Sequence, residues 1–249
     1  AKCSQAYPNL RENLNLLFAR LEAAPTNVKT KDPRSGLEVE LRITRDVFAA
    51  GIFYMLYTSD FSRHIPLVVG NAVRGNYRTF LAVAVPLSSA LMSQVSLGMY
   101  HSVVCAEDVP RIKQSEIERE SRNTFLGGKN IRNSIGICKA WVRGRVPAGF
   151  FKPVTSKSPV LIISGDVDPV VPPRWGANIA RTLPNSRHIT IPGVAHGPSF
   201  PGCVQDLVTR FVNEASGADL DLTCVNAIRR SDFTLPPPTA PAQSPANSQ

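Results

Sequence analysis

The spacing of apolar and polar positions changes character after Lys157. Before it the pattern is mostly helical. Leu10, Leu14, Leu17, Phe18 and Leu21 recur at helical spacing, which predicts an amphipathic helix over residues 9–21, with Pro25 just beyond its end. Leu37, Val39, Leu41 and Ile43 alternate with Glu38, Glu40 and Arg42, the mark of a half-exposed strand. The turn residues 32–36 before it make that strand the second arm of a hairpin. Residues 47–56 are apolar almost throughout and predict a buried helix, whereas residues 114–122 predict a charged, exposed one.

After Lys157 the pattern alternates strand and helix. Residues 159–164 form a short, almost wholly apolar run of the kind found in buried parallel strands. A helix over 175–183 follows, then a strand over 187–191 with Ile189 and Ile191 on one face. A closing helix over 203–213 is expected to bury Leu207, Val208, Phe211 and Val212. The expected fold is therefore α/β, with the last strands of a doubly wound sheet preceded by a mostly helical region. The expected division is a helical region 1–150, a core segment 151–233 and a tail 234–249. That tail is largely Pro, Ala, Ser and Gln, which cannot offset the entropy of ordering.

Residues 79–106 contain no Asp, Glu, Lys or Arg, which is long enough to span a bilayer. Pro86, five serines, Gln94 and His101 interrupt the stretch. It divides into a helix-like piece carrying Leu87, Leu91, Met92 and Val95 and a strand-like piece over 100–104. A lid or core helix fits better than a transmembrane span, so no stable membrane insertion is expected.

Charge and cysteine content narrow the picture. The net charge is +9, nearly all of it in residues 1–150. Both signs are interspersed there, as in Lys113, Glu116, Glu118, Arg119, Glu120 and Arg122, and no basic run is interleaved with aromatics. A solvated helical face explains this better than a nucleic-acid site. The five cysteines are Cys3, Cys105, Cys138, Cys203 and Cys224, with no CxxC and no zinc-finger spacing to His. Composition alone leaves them open between buried thiols and two disulfides with one thiol left over. The Gly127-Gly128-Lys129 sequence does not follow a strand, so it does not predict a phosphate loop. No metal and no cofactor is expected. The chain opens Ala-Lys-Cys, and either a signal was removed or the sequence starts inside a longer protein.

Two predicted loops share the position where open parallel sheets meet their ligands, the carboxyl ends of adjacent strands. The first runs Gly165-Asp166-Val167-Asp168-Pro169-Val170-Val171-Pro172, and the second runs Pro192-Gly193-Val194-Ala195-His196-Gly197. Acid, then histidine, each after a strand, is the closing order of an α/β-hydrolase triad. Histidine titrates near neutrality and can take a hydroxyl proton, and a carboxylate on its other nitrogen fixes the tautomer. Asp168, stiffened by Pro169, is the expected acid and His196 the expected base. Asp166 is expected to cap its loop. His64, His101 and His188 are expected to be satisfied structural histidines.

The nucleophile is missing. No G-x-S-x-G elbow occurs in the chain, and Ser199 follows His196 too closely to supply one. The serine is therefore expected before Ala1, with the early strands of the sheet, and the 249 residues alone, with a strand edge exposed, are expected to be unstable or inactive.

At these residues the chain resembles the tripeptidyl-aminopeptidase-like α/β-hydrolases, relatives of proline iminopeptidase. The resemblance runs through Val104-Cys105-Ala106-Glu107-Asp108, Cys138-Lys139-Ala140-Trp141, residues 158–170, residues 192–197, Gly202-Cys203 and Leu222-Thr223-Cys224. It implies an exported (secreted or periplasmic) serine peptidase that cuts short peptides from a free N-terminus. It implies Asp168 and His196 as triad acid and base, and disulfides Cys105–Cys138 and Cys203–Cys224. Cys3 would pair with a cysteine upstream. Residues 1–150 would be most of a lid, in which Glu107 and Asp108 could bind the substrate's α-ammonium group. A small-ester hydrolase, a non-catalytic remnant and an Asp-nucleophile hydrolase remain open beside the aminopeptidase.

Overall fold

A computed structural model describes residues 2–32, 35–196 and 202–237. In chain order the elements are α1 (Lys2–Ala6), α2 (Leu10–Ala23), β1 (Thr26–Lys31), β2 (Glu38–Ile43), α3 (Arg45–Met55), α4 (Ser59–Ser62) and α5 (Ile65–Val73). There follow α6 (Arg78–Ser93), α7 (Leu97–Glu107), a 3₁₀ turn (Val109–Arg111), α8 (Gln114–Ser121) and α9 (Lys129–Cys138). The last elements are β3 (Val160–Gly165), α10 (Pro173–Ala180), β4 (Ser186–Ile191), α11 (Val204–Glu214) and α12 (Thr223–Asn226).

The helical layer is organised by apolar periodicity. Leu17, Phe18 and Leu21 on α2 meet Phe48, Ala49, Ile52 and Met55 on α3, with α5 and α6 closing the cluster. Phe48 is fully buried, stacks on Phe80 at 4.5 Å and meets Phe18 and Tyr77 edge-on. Gly51 lets Phe80 approach so closely that a Cβ there would lie 2.5 Å from its ring. Thr44 starts α3 by accepting the Val47 N–H on its side chain, satisfying a donor that has no partner within the helix. The β1–β2 hairpin is antiparallel with Thr26 opposite Ile43, and Ile43 feeds the same core. Its turn residues Pro33 and Arg34 lie outside the described residues.

The strand-like reading of residues 100–104 is corrected: they lie within helix α7. A five-residue stretch with Tyr100, Val103 and Val104 as its apolar positions does not distinguish a strand from a helix, and here contacts decide. Cys105 on α7 is disulfide-bonded to Cys138 on α9, and Val109 and Trp141 pack around the bond. Among the described residues no single helix is long and apolar enough to cross a membrane. The uncharged stretch bends by 77° between α6 and α7.

β3 and β4 pair in parallel, with Val160 opposite Ser186 and Gly165 opposite Ile191, so their carboxyl ends finish level. α10 lies against this pair, and Gly176 makes the approach possible: a Cβ there would meet His188 and Ser164 within 3 Å. A second core forms around Ile189, Ile191, Val204, Leu207, Leu220 and Val225. The Cys203–Cys224 disulfide joins the start of α11 to α12 beside that core. Val212, expected to be buried, is 68% exposed, because the inward stripe of α11 runs through Val204, Leu207 and Phe211 instead.

The C-terminal segment straps the two parts together. Arg230 donates to Ser62 Oγ, and the Thr234 N–H donates to Arg63 O. Tyr7 Oη donates to Thr234 O, and Thr234 Oγ1 lies 2.8 Å from His64 Nδ1. Thr234, read from the sequence as the first residue of the tail, is therefore anchored through backbone and side chain alike. Residues 238–249 of that tail lie outside the described residues.

Candidate active site

The level ends of β3 and β4 set the two candidate loops side by side, and their own hydrogen bonds fasten them. The Asp166 N–H donates to Ile191 O and the Val167 N–H to Val194 O. Asp166 Oδ1 accepts the Gly193 N–H at 2.7 Å. Gly165 is required by this closeness: a Cβ there would lie 2.2 Å from Val194 O and 2.6 Å from Ala195 O. Gly193 is required twice, by its φ of +69° and by the Arg230 backbone pressed against it.

Asp168 Oδ2 lies 3.0 Å from His196 Nδ1. Its other oxygen, Oδ1, accepts the backbone N–H groups of Val170 and Val171 at 2.7 and 2.8 Å. One carboxylate oxygen is thus fixed by main chain while the other is aimed at the imidazole. The Asp168 side chain is 9% exposed and that of His196 37%. The carboxylate is shielded and the imidazole is reachable. With Nδ1 donating to Asp168, Nε2 is the nitrogen left to accept a proton. Neither aspartate caps α10, whose N-cap is Pro172.

Other candidates fall elsewhere. His188 Nε2 lies 3.0 Å from Ser164 Oγ beneath α10, a structural pair inside the sheet. His64 is held by Thr234. His101 sits between Tyr100, edge-on, and Trp141, tilted, with ring centroids 5.2 Å away in each case. Its buried Nδ1 has no hydrogen-bond partner among the described residues, so it is not the satisfied histidine expected from the sequence. Glu107 ends α7, and the Asp108 N–H caps that helix by donating to Val104 O. Neither carboxylate is bonded to the Asp168–His196 pair. Both lie about 10–12 Å along the axis from Tyr100, the α7 residue whose phenol is an electrostatic neighbour of Tyr57. Gly197 and Ser199 lie outside the described residues. Among the described residues no group of three or more His, Cys, Asp and Glu could hold a metal ion.

Sequence reasoning missed what borders the histidine. Tyr57 stands edge-on to the His196 ring with centroids 5.3 Å apart. Burial first, and then Tyr54, Asp168 and Tyr100, push its phenol above the usual value of 10.0, so it stays neutral at physiological pH. Ser59 Oγ donates to Gly193 O and clasps the histidine loop from the helical layer. The signal was present as Phe53, Tyr54 and Tyr57, an aromatic cluster at and just beyond the end of α3.

No curated protein and no solved structure matches the chain. Residues 123–224, which carry β3, β4, Asp168, His196 and the Cys203–Cys224 pair, match the family model described as TAP-like protein and support a hydrolase of the α/β-hydrolase fold.

Proposed function

We propose that this chain supplies the acid and base of a serine hydrolase, most simply an exported aminopeptidase acting on short peptides. The observation that carries the reading is the Asp168 carboxylate, fixed by two backbone N–H groups and 3.0 Å from His196 Nδ1. In this mechanism His196 Nε2 takes the proton of a serine hydroxyl as it attacks the substrate carbonyl, and Asp168 stabilises the imidazolium that results. His196 then returns the proton to the departing amine. The serine comes from outside residues 1–249, because no G-x-S-x-G occurs within them. The two-stranded parallel β3–β4 sheet favours the same view, since parallel sheets normally continue to further strands. Two disulfides favour an oxidising compartment. Glu107 and Asp108 remain candidates for the α-ammonium group only if a bound peptide extends along α7.

The test is a fluorophosphonate probe applied to the chain produced together with whatever residues precede it, followed by peptide mapping. The expected adduct lies on a serine before Ala1, and His196→Ala prevents its formation. An adduct on a serine within residues 1–249, or labelling indifferent to His196→Ala, refutes the assignment. Peptide arylamides assayed against aryl esters then separate peptidase from esterase.

A further inference from the structure

One aromatic ring, Tyr57, borders the His196 imidazole, and further aromatic and thioether groups of the helical layer extend outward from it. Tyr57, two residues beyond α3, meets it edge-on at 5.3 Å. Phe53 backs Tyr57 at 5.4 Å, nearly perpendicular, and Tyr54 lies at 6.0 Å. Tyr54 Oη reaches Met92 Sδ at 3.4 Å, which brings in the end of α6. Tyr100, in the first turn of α7, is an electrostatic neighbour of Tyr57.

These side chains do not belong to the helical core, which is built on Phe48, Phe80 and their aliphatic neighbours. Met92 and Tyr100 are 39% and 45% exposed. Phe53, Tyr54 and Tyr57 are half-buried. Filling a gap beneath the histidine loop would require only the inner rings. Met92 and Tyr100 stand open and extend the apolar surface beyond those rings. The charge beside this group belongs to Asp168, which is already engaged with His196 and two backbone N–H groups. Such a surface gains most by covering an uncharged apolar or aromatic group, through ring-edge contacts and polarisable sulfur.

We propose that Tyr57, Tyr54, Met92 and Tyr100 form the subsite that holds an apolar or aromatic side chain of the substrate beside the His196 imidazole. This rests on the hydrolase reading and names its substrate class. The neutral Tyr57 hydroxyl can also donate a hydrogen bond to a substrate carbonyl without bringing charge to the site.

Binding can be measured without turnover on the 249-residue chain. Its four histidines allow the imidazole resonances to be assigned by single substitutions. The probes are N-acetylphenylalaninamide and N-acetylleucinamide, compared with N-acetylglycinamide and N-acetylserinamide. The first two are expected to shift the His196 and Tyr57 ring resonances, half-saturating at concentrations about tenfold lower than the others. Tyr57→Ala should weaken the apolar probes about tenfold, and Tyr57→Phe should leave them within about twofold. Met92→Ser, at an exposed position, serves as the second variant in case Tyr57→Ala loosens α3, and should weaken them about threefold. Equal saturation by all four amides overturns the subsite, as does a selectivity unchanged in both Tyr57→Ala and Met92→Ser. The two readings fail separately. Turnover that survives His196→Ala sinks the hydrolase reading, whereas lost selectivity with His196-dependent turnover sinks the subsite alone.

Discussion

Replacing Asp168 with Asn changes one atom and inverts one hydrogen bond. The Asn side-chain oxygen can keep the Val170 and Val171 N–H groups, which approach Oδ1 at 2.7 and 2.8 Å. Its amide nitrogen must then face His196 Nδ1, where the carboxylate oxygen stood at 3.0 Å. Two donors cannot face each other, so the imidazole moves its proton to Nε2 and Nδ1 becomes the acceptor. The nitrogen needed as base is then blocked, and the imidazolium loses its counter-charge. In a triad of this geometry such a change costs about 10⁴-fold in kcat, or about 5.4 kcal/mol at 1.36 kcal/mol per factor of ten. Stability should fall by only about 1 kcal/mol, because the two main-chain bonds survive. The tautomer can be read from the imidazole ¹⁵N shifts of His196 in this chain, and kcat from the protein carrying its nucleophile. A loss below about tenfold with the Nδ1–H tautomer retained would show that Asp168 does not orient the base, and the reasoning would fail.

Other consequences follow from the same contacts. Gly165→Ala should cost about 1–3 kcal/mol and break the Asp168–His196 contact, because the clashing atoms are the Val194 and Ala195 carbonyls, which are backbone and cannot swing aside; a chemical-denaturation midpoint matching the parent would contradict this. Reduction should lower the thermal midpoint markedly. The Cys105–Cys138 and Cys203–Cys224 bonds join residues 33 and 21 apart, each contributing about 3–4 kcal/mol by constraining the unfolded chain, and non-reducing peptide maps should show those two pairs with Cys3 free to alkylate. Burial, and then Arg63, lower the pKa of His64 below 6.5. The unfolded chain therefore takes up that proton first, and the contribution of His64 is present above pH 6.5 and lost as pH falls through the folded value. Thermal midpoints from pH 7.5 to 5 should fall more steeply for the parent than for His64→Gln; parallel curves would exclude His64 as the cause.

The second half of the chain was the more legible, for a physical reason. A buried parallel strand must be apolar and short, and the loop at its carboxyl end must carry whatever chemistry the fold performs. Residues 159–164 and 187–191 therefore announced β3 and β4, and chain order singled out Asp168 and His196, which the fold brings within 3.0 Å of each other. α2 was equally plain from its periodicity, and α3 from an almost unbroken apolar run that the core buries. Residues 100–104 misled because α7 is disulfide-anchored and partly open, so no regular stripe marks it as a helix. Val212 misled because α11 turns only a narrow face inward. The aromatic cluster around Tyr57 could be seen but not placed, and Ser59 left no signal, since a stretch far from the histidine in sequence meets it only through tertiary packing.

That packing locates the control of the site. The acid loop is fixed locally, by Val170 and Val171 on the Asp168 carboxylate. The histidine loop is held from three directions that local sequence does not contain. Asp166 takes the Gly193 N–H, Ser59 reaches the Gly193 carbonyl from the helical layer, and the Arg230 backbone presses on the Gly193 α-carbon. Arg230 is itself tied to Ser62, so the strap and the helical layer meet at the same glycine. A left-handed residue with both main-chain groups engaged has little freedom, and His196 stands three residues further on. Moving the helical layer relative to the sheet would therefore shift Tyr57 and Gly193 together. The face of the imidazole and the backbone that aims it would respond as one unit.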